Sequence, residues 1–181
     1  MKWIFKQSPE KEKTEQLSQE LGIDQILAKL LVMRGVDDFD KAKKFFRPSL
    51  VDLHDPFLMK DMQLAVDRIL IAIQNEEAIL IYGDYDVDGT TAVSLVYSYL
   101  REFYPKVATY IPDRYEEGYG ISFKGIDFAS DNEISLIIAL DCGIKAIDKV
   151  LYAKEKGIDF IICDHHRPGD SIPDAIAVLN P

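Results

Sequence analysis

The sequence predicts an α/β protein: a parallel sheet of about five strands with helices on both faces, preceded by a helical N-terminal region. Three observations predict it. Short runs that are apolar almost throughout, at residues 78–82, 134–140 and 159–163, alternate with segments whose apolar residues recur at helical spacing. Each of those runs meets an aspartate within two residues of its end: Asp84, Asp141 and Asp164. Residues 1 to about 75 carry helical patterns only. The 181 residues are 48% hydrophobic and 29% charged, which excludes a disordered or low-complexity chain and suits one domain, or one with a small appendage.

Each element follows from its local pattern. Residues 10–21 are charged with a few apolar positions, and residues 23–33 are richer in Leu and Ile with Gly35 behind them as a stop. Asp37 is placed to cap a short helix over 38–46, which Pro48 ends. Met62, Ala65, Val66, Ile69, Leu70 and Ile73 mark an amphipathic helix over 61–74. The expected division is therefore a helical region over 1–75, packed on an α/β domain over 76–181. Within that domain the first strand is 78–82. A helix over 90–104 stops at Pro105, and a second strand spans 107–111. A short helix over 123–129 precedes the third strand, 134–140. A helix over 144–156, a fourth strand over 159–163 and a fifth over 175–179 complete the series. Open parallel sheets of this Rossmann-like kind bind ligands at the carboxyl ends of their strands, so Asp84, Asp141 and Asp164 are expected along one edge.

Charge and cysteine content narrow the function. With 21 Lys and Arg against 31 Asp and Glu, the net charge is −10. That argues against coating nucleic acid by bulk attraction, but not against a local acidic cluster that reaches phosphate through metal ions. Two cysteines, Cys142 and Cys163, make no disulfide framework and read as small, half-buried neighbours of the strand ends. No apolar run approaches the roughly 20 residues of a membrane helix, and residues 1–6 lack a signal-peptide core. A cytoplasmic protein with no membrane partner is expected.

The chemistry concentrates in three places. Asp84, Asp86 and Asp88 alternate and are followed by Gly89. A calcium loop of the EF-hand type would need a bidentate Glu where Leu95 stands, and a preceding helix where a strand is read. The glycine patterns of phosphate-cradling loops are absent as well. A solvated acidic turn and a metal site at a strand terminus remain. Asp141 can be a ligand or can cap the helix that follows it. Asp164-His165-His166 places two of the chain's three histidines beside an aspartate directly after an apolar strand, where imidazole serves as a ligand or a general acid. Together these residues offer oxygens and imidazole nitrogen, a set that suits Mn²⁺ or Mg²⁺. Five carboxylates can offset two divalent ions, and two ions about 3.5–4 Å apart clamp an in-line attack on phosphorus. Beyond the second strand, the loop over 112–122 can put Arg114 on a phosphate and Tyr115 or Tyr119 against a base. It can equally be a plain surface loop.

Gly83-Asp84-Tyr85-Asp86-Val87-Asp88-Gly89 resembles the first motif of the DHH phosphoesterase superfamily, Asp141 its second, and Asp164-His165-His166 the motif that names it. With Pro112-Asp113-Arg114-Tyr115-Glu116-Glu117-Gly118-Tyr119-Gly120, the chain is similar to the single-strand-specific 5′→3′ DNA exonucleases of that superfamily. Leu31-Val32-Met33-Arg34-Gly35, His54-Asp55-Pro56-Phe57 and Val178-Leu179-Asn180-Pro181 extend the resemblance over nearly the whole chain. It implies a two-Mn²⁺ phosphodiesterase, with Mg²⁺ as the alternative, releasing 5′-mononucleotides from single-stranded DNA in repair and recombination. Helicases or single-strand-binding proteins are implied partners. The resemblance puts Asp86 and Asp141 on one ion, and Asp88, Asp141 and His165 on the other, with Asp84 close by. It puts His166 on the scissile phosphate or the leaving oxygen and Asp164 behind a histidine ring. Arg114, Tyr115, Gly118 and Tyr119 fall on the substrate side. The chain departs from the pattern at Tyr82, where many members carry histidine. A fourth-motif aspartate and a second, glycine-rich domain are expected beyond residue 181, so the α/β domain reads as incomplete at its C-terminus. The alternatives are a DHH phosphoesterase for oligoribonucleotides, cyclic dinucleotides or pyrophosphate, and a non-catalytic DHH-like scaffold.

Overall fold

The structure is a computed structural model and describes residues 3–4 and 6–181. The chain forms two compact units, Met1–Asp55 and Pro56–Pro181. In the first, helices α1 (Lys11–Leu21), α2 (Gln25–Val32) and α3 (Phe39–Phe46) enclose a small core of Leu17, Ala28, Leu31, Val36 and Ala42. Gly22 ends α1 in the left-handed conformation at φ 64°, closing its N–H on the carbonyls of Gln19 and Ser18. Asp24 caps α2 by accepting the Ile26 N–H at 2.7 Å. Asp38, one residue later than the sequence pattern suggests, caps α3 by accepting the Lys41 N–H at 2.7 Å. Asp37 instead pairs with the Lys41 ammonium.

The second unit is a five-stranded sheet in the order β2-β1-β3-β4-β5, with every pairing parallel. Its strands are β1 (Ala78–Gly83), β2 (Val107–Tyr110), β3 (Ile134–Leu140), β4 (Asp159–Cys163) and β5 (Ala177–Leu179). Helices α4 (Met62–Gln74) and α5 (Val87–Arg101) cover one face, burying Ala65, Ala72, Val93 and Leu100 against Ile79, Ile81, Leu136, Ile138 and Ile161. Helices α6 (Phe123–Asp131) and α7 (Ile147–Glu155) cover the other, burying Ile126, Ala129, Val150 and Ala153 against Leu80, Ile137, Phe160 and Ile162. Both faces are covered, which is why the strands carry apolar runs in place of an alternating pattern.

Helix α4 belongs with the sheet, whereas its sequence pattern grouped it with the N-terminal helices. Its inward stripe is complementary to a sheet face that no local pattern reveals. The attachment is also ionic: Arg68 on α4 donates to Glu77 and to Asp159, each at 2.6 Å. Helix α5 begins at Val87, earlier than its apolar periodicity suggests, because Asp86 supplies the cap. No helix among the described residues is long and apolar enough to cross a membrane.

Candidate metal centre

Strand register builds the site. Gly83 pairs with Leu140, Leu140 with Cys163, and Cys163 with Leu179. The residues that come next, Asp84, Asp141, Asp164 and Asn180, therefore follow level strand ends along one edge. The chain leaves β1 for one face of the sheet through α5 and leaves β3 for the other through α7. That divergence opens a crevice at the strand ends.

Asp84 is fully buried, and neither of its carboxylate oxygens has a hydrogen-bond partner among the described residues. A buried carboxylate left so costs several kcal/mol unless a cation offsets it. Gly89 explains how α5 comes so close: a Cβ there would lie 2.4 Å from the Asp84 carbonyl oxygen. Asp86 Oδ1 accepts the N–H groups of Asp88 at 2.9 Å and Gly89 at 3.0 Å, capping α5. Asp88 lies exposed in the first turn of that helix.

Asp141 is held at φ 60°, an uncommon conformation for a residue with a side chain, and donates its N–H to the Cys163 carbonyl at 2.8 Å. It caps no helix, since α7 starts at Ile147 behind Ala146. Its Oδ1 lies 3.0 Å from His165 Nε2. Burial, and then the charge of Asp86, push its carboxyl above the usual carboxylate range, against the pull of His165 and His166.

Asp164 is an organiser. Its Oδ2 accepts the Ile144 N–H at 2.9 Å. Its Oδ1 accepts the His166 N–H at 3.0 Å and lies 2.7 Å from His166 Nδ1. Burial pushes this carboxyl up, but these hydrogen bonds outweigh it and hold the group below its ordinary range. The bond to Nδ1 raises His166 above an ordinary imidazole. Asn180 Nδ2 donates to the carbonyls of Asp164 at 2.6 Å and His166 at 3.1 Å, pinning the backbone of the motif.

The donor atoms of Asp141, His165 and His166 converge within 4.8 Å of one another. Asp84, Asp86 and Asp88 stand outside that group, although Asp86 and Asp88 are near enough to raise Asp141. Carboxylates repel, so an acidic site closes fully only around cations. The donors are carboxylate and imidazole, and burial pushes the Cys142 and Cys163 thiols up, Cys163 to about 11. An oxygen-rich set with imidazole, containing a buried and unpartnered aspartate, fits Mn²⁺ or Mg²⁺.

The loop after β2 reaches the same edge. Arg114 lies over the Tyr85 ring, 5.3 Å from its centroid. Tyr119 meets Tyr85 edge-on at 6.0 Å, and its hydroxyl is 3.4 Å from His166 Nε2. Burial, and then the carboxylates led by Asp84 and Asp141, raise Tyr119 to about 12. Tyr115 is 93% exposed, so of the two tyrosines it is Tyr119 that sits against the cluster. Gly118, at φ 84°, closes the turn by donating its N–H to the Asp113 carbonyl at 3.3 Å.

Sequence reasoning missed Tyr85, Asn180 and the true place of Tyr82. Tyr82 does not meet the cluster; its hydroxyl donates to the Gly120 carbonyl at 3.0 Å and accepts the Ser122 N–H at 3.1 Å. The available signal was a tyrosine inside a buried apolar strand, whose hydroxyl must find a partner.

The DHH family, N-terminal domain, matches residues 78–181. Among curated proteins, the single-stranded-DNA-specific exonuclease RecJ of Bacillus subtilis (strain 168) is 42% identical over 181 residues, covering 100% of this chain and 23% of that protein. The protein of the same name from Haemophilus influenzae is 34% identical over 134 residues, covering 74% and 23%. The chain thus spans less than a quarter of the length of these curated relatives. Among solved structures, exonuclease RecJ bound to manganese is 29% identical with a TM-score of 0.65, over 71% of this chain and 33% of that one. RecJ from Thermus thermophilus in complex with Mn²⁺ is similar in fold, with a TM-score of 0.71 at 23% identity over 96% of this chain and 24% of that one.

Proposed function

The chain belongs to the DHH family, and on that premise we propose that it is the metal-binding part of a Mn²⁺-dependent exonuclease that shortens single-stranded DNA from its 5′ end, releasing 5′-mononucleotides. The observation that carries the reading is the level ending of β1, β3 and β4, which lines up Asp84, Asp141 and Asp164 beside the two histidines, with both Asp84 oxygens unpartnered among the described residues. The names of the curated relatives, single-stranded-DNA-specific exonucleases, support the substrate, and the manganese-bound relative supports the metal.

Asp86 and Asp141 would hold one ion, and Asp88, Asp141 and His165 the other, with the Asp84 charge adding to the attraction. Ions bound there would supply a water made nucleophilic near neutral pH and would offset charge on the phosphoryl oxygens. The chain's own groups do the rest. Asp164 fixes His166 through Nδ1, leaving Nε2 for the substrate and favouring the protonated ring. As the bond from phosphorus to the 3′ oxygen of the terminal nucleotide breaks, His166 gives that oxygen its proton. The shortened strand keeps the 5′-phosphate and presents the next bond. Arg114 pairs with a phosphate, and Tyr85 and Tyr119 offer ring surface to the bases. Such an activity serves DNA repair and recombination inside the cell, alongside helicases or single-strand-binding proteins that expose or cover the strand.

Asp141→Asn at the protein's natural length tests the reading. Asparagine tolerates a positive φ but lacks the charge that would hold the ions, so Mn²⁺-dependent release of mononucleotides should fall on the order of a thousandfold. Thermal stability should not fall, because a crowded charge is removed. Turnover near that of the unaltered protein would remove Asp141 from the mechanism.

A further inference from the structure

The loop that carries Arg114 and Tyr119 is held from beneath by groups outside the proposed chemistry. Glu117 is the hub. Its Oε2 accepts hydrogen bonds from the Tyr110 hydroxyl at 2.9 Å and the Ser122 hydroxyl at 2.5 Å, and its Oε1 accepts the Asp113 N–H at 2.8 Å. One carboxylate thus ties the end of β2, the start of the loop and the cap of α6 together.

The tie rests on an aromatic base of buried Tyr82 and half-buried Tyr110. Tyr110 stacks on Tyr82 with centroids 5.3 Å apart and planes 19° from parallel. The Tyr82 hydroxyl holds Gly120 and Ser122, the residues just past Tyr119. A side chain at Gly125 would fall 2.5 Å from the Tyr82 ring and 3.1 Å from that of Tyr110, so α6 is seated directly on the pair. Anchored on that side, the loop turns its Tyr119 hydroxyl towards His166.

We infer that Glu117 is a positioning residue: by accepting from Tyr110, Ser122 and Asp113, its carboxylate fixes the loop so that Arg114 and Tyr119 meet the DNA strand in register with His166. This rests on the exonuclease reading and adds a residue to it. Both Glu117 carboxylate oxygens are engaged by Tyr110, Ser122 and Asp113, and no contact with metal or substrate is assigned to it. It removes the loop's freedom before the strand arrives, and a misplacement of about 1 Å at such a loop is worth up to about a hundredfold in rate.

The test compares Glu117→Ala, Glu117→Gln and Tyr110→Phe with the unaltered protein at natural length. Three quantities are measured: Mn²⁺ affinity by calorimetry, affinity for a single-stranded oligonucleotide in EDTA by fluorescence anisotropy, and kcat and KM with Mn²⁺. Glu117→Ala should weaken oligonucleotide binding and raise KM about tenfold or more, with Mn²⁺ affinity unchanged. Tyr110→Phe, which removes one donor of three, should do less. Glu117→Gln should recover most of the loss, since its amide oxygen still accepts from Asp113 and the two hydroxyls can turn to accept from its amide nitrogen. If Glu117→Ala leaves KM and DNA affinity unchanged, or lowers Mn²⁺ affinity as much as DNA affinity, Glu117 merely supports the fold and the inference is wrong. Should that variant fail to fold, unchanged KM and DNA affinity in Tyr110→Phe would overturn it equally. An unaltered protein that neither binds nor cleaves single-stranded DNA brings down the exonuclease reading as well.

Discussion

His165 and His166 are adjacent in sequence but held differently, and on the proposed reading the difference divides their work. His165 presents Nε2 to Asp141 at 3.0 Å, the posture of a ligand, while His166 is anchored through Nδ1 by a buried carboxylate and backed by Tyr119. His165→Ala should therefore weaken Mn²⁺ binding in calorimetry. His166→Ala should leave that binding nearly intact and lower kcat by about a hundredfold or more, as loss of a general acid does. Equal effects of both variants on both quantities would erase this division. The convergence of Asp141, His165 and His166 was legible in the sequence because residue types that coordinate or transfer protons sit directly after apolar strands. The left-handed backbone of Asp141 and the buried hydroxyl network of Tyr82 were not, since both arise from contacts with residues 22 and about 40 positions away.

At the scale of elements, two contacts hold helices to the sheet. The first is the approach of α5 to the end of β1, which only glycine at position 89 permits. Gly89→Ala should push the helix start away from Asp84, cost about 1–3 kcal/mol in urea unfolding and weaken Mn²⁺ binding as Asp86 and Asp88 move outward. Unchanged stability and metal affinity would mean that the helix start is not constrained there. The second is the Arg68 clamp at the opposite edge. Burial pushes the Glu77 carboxyl up, but hydrogen bonds from Ser135 and Arg68 outweigh it and hold the group below its ordinary 4.5. A folded value below the unfolded one means that Glu77 contributes stability above about pH 4.5 and loses it as the pH falls through the lowered value. Arg68→Ala should cost about 1–3 kcal/mol near pH 7, a range set by partial exposure of the carboxylates. The gap between the two proteins should narrow as the pH drops below about 4.5, and a gap that stays constant with pH would contradict the clamp. The strands and most helices could be read from periodicity. The membership of α4 could not, because it depends on a sheet face assembled from distant strands.

At the scale of the molecule, a parallel sheet with level strand ends turns separate aspartates into one acidic edge. The protein carries a net charge of −10, so on the proposed reading attraction for a DNA strand would be local, through cations at the edge and Arg114 over Tyr85 beside it. The sequence showed which strands end in carboxylates, and the topology decides that those ends are neighbours. Anomalous scattering from crystals soaked in Mn²⁺ tests this most directly. The account predicts two manganese peaks in the crevice, in contact with Asp86, Asp88, Asp141 and His165. Saturating Mn²⁺ that leaves this edge empty, or that scatters only onto exposed surface carboxylates, would contradict it.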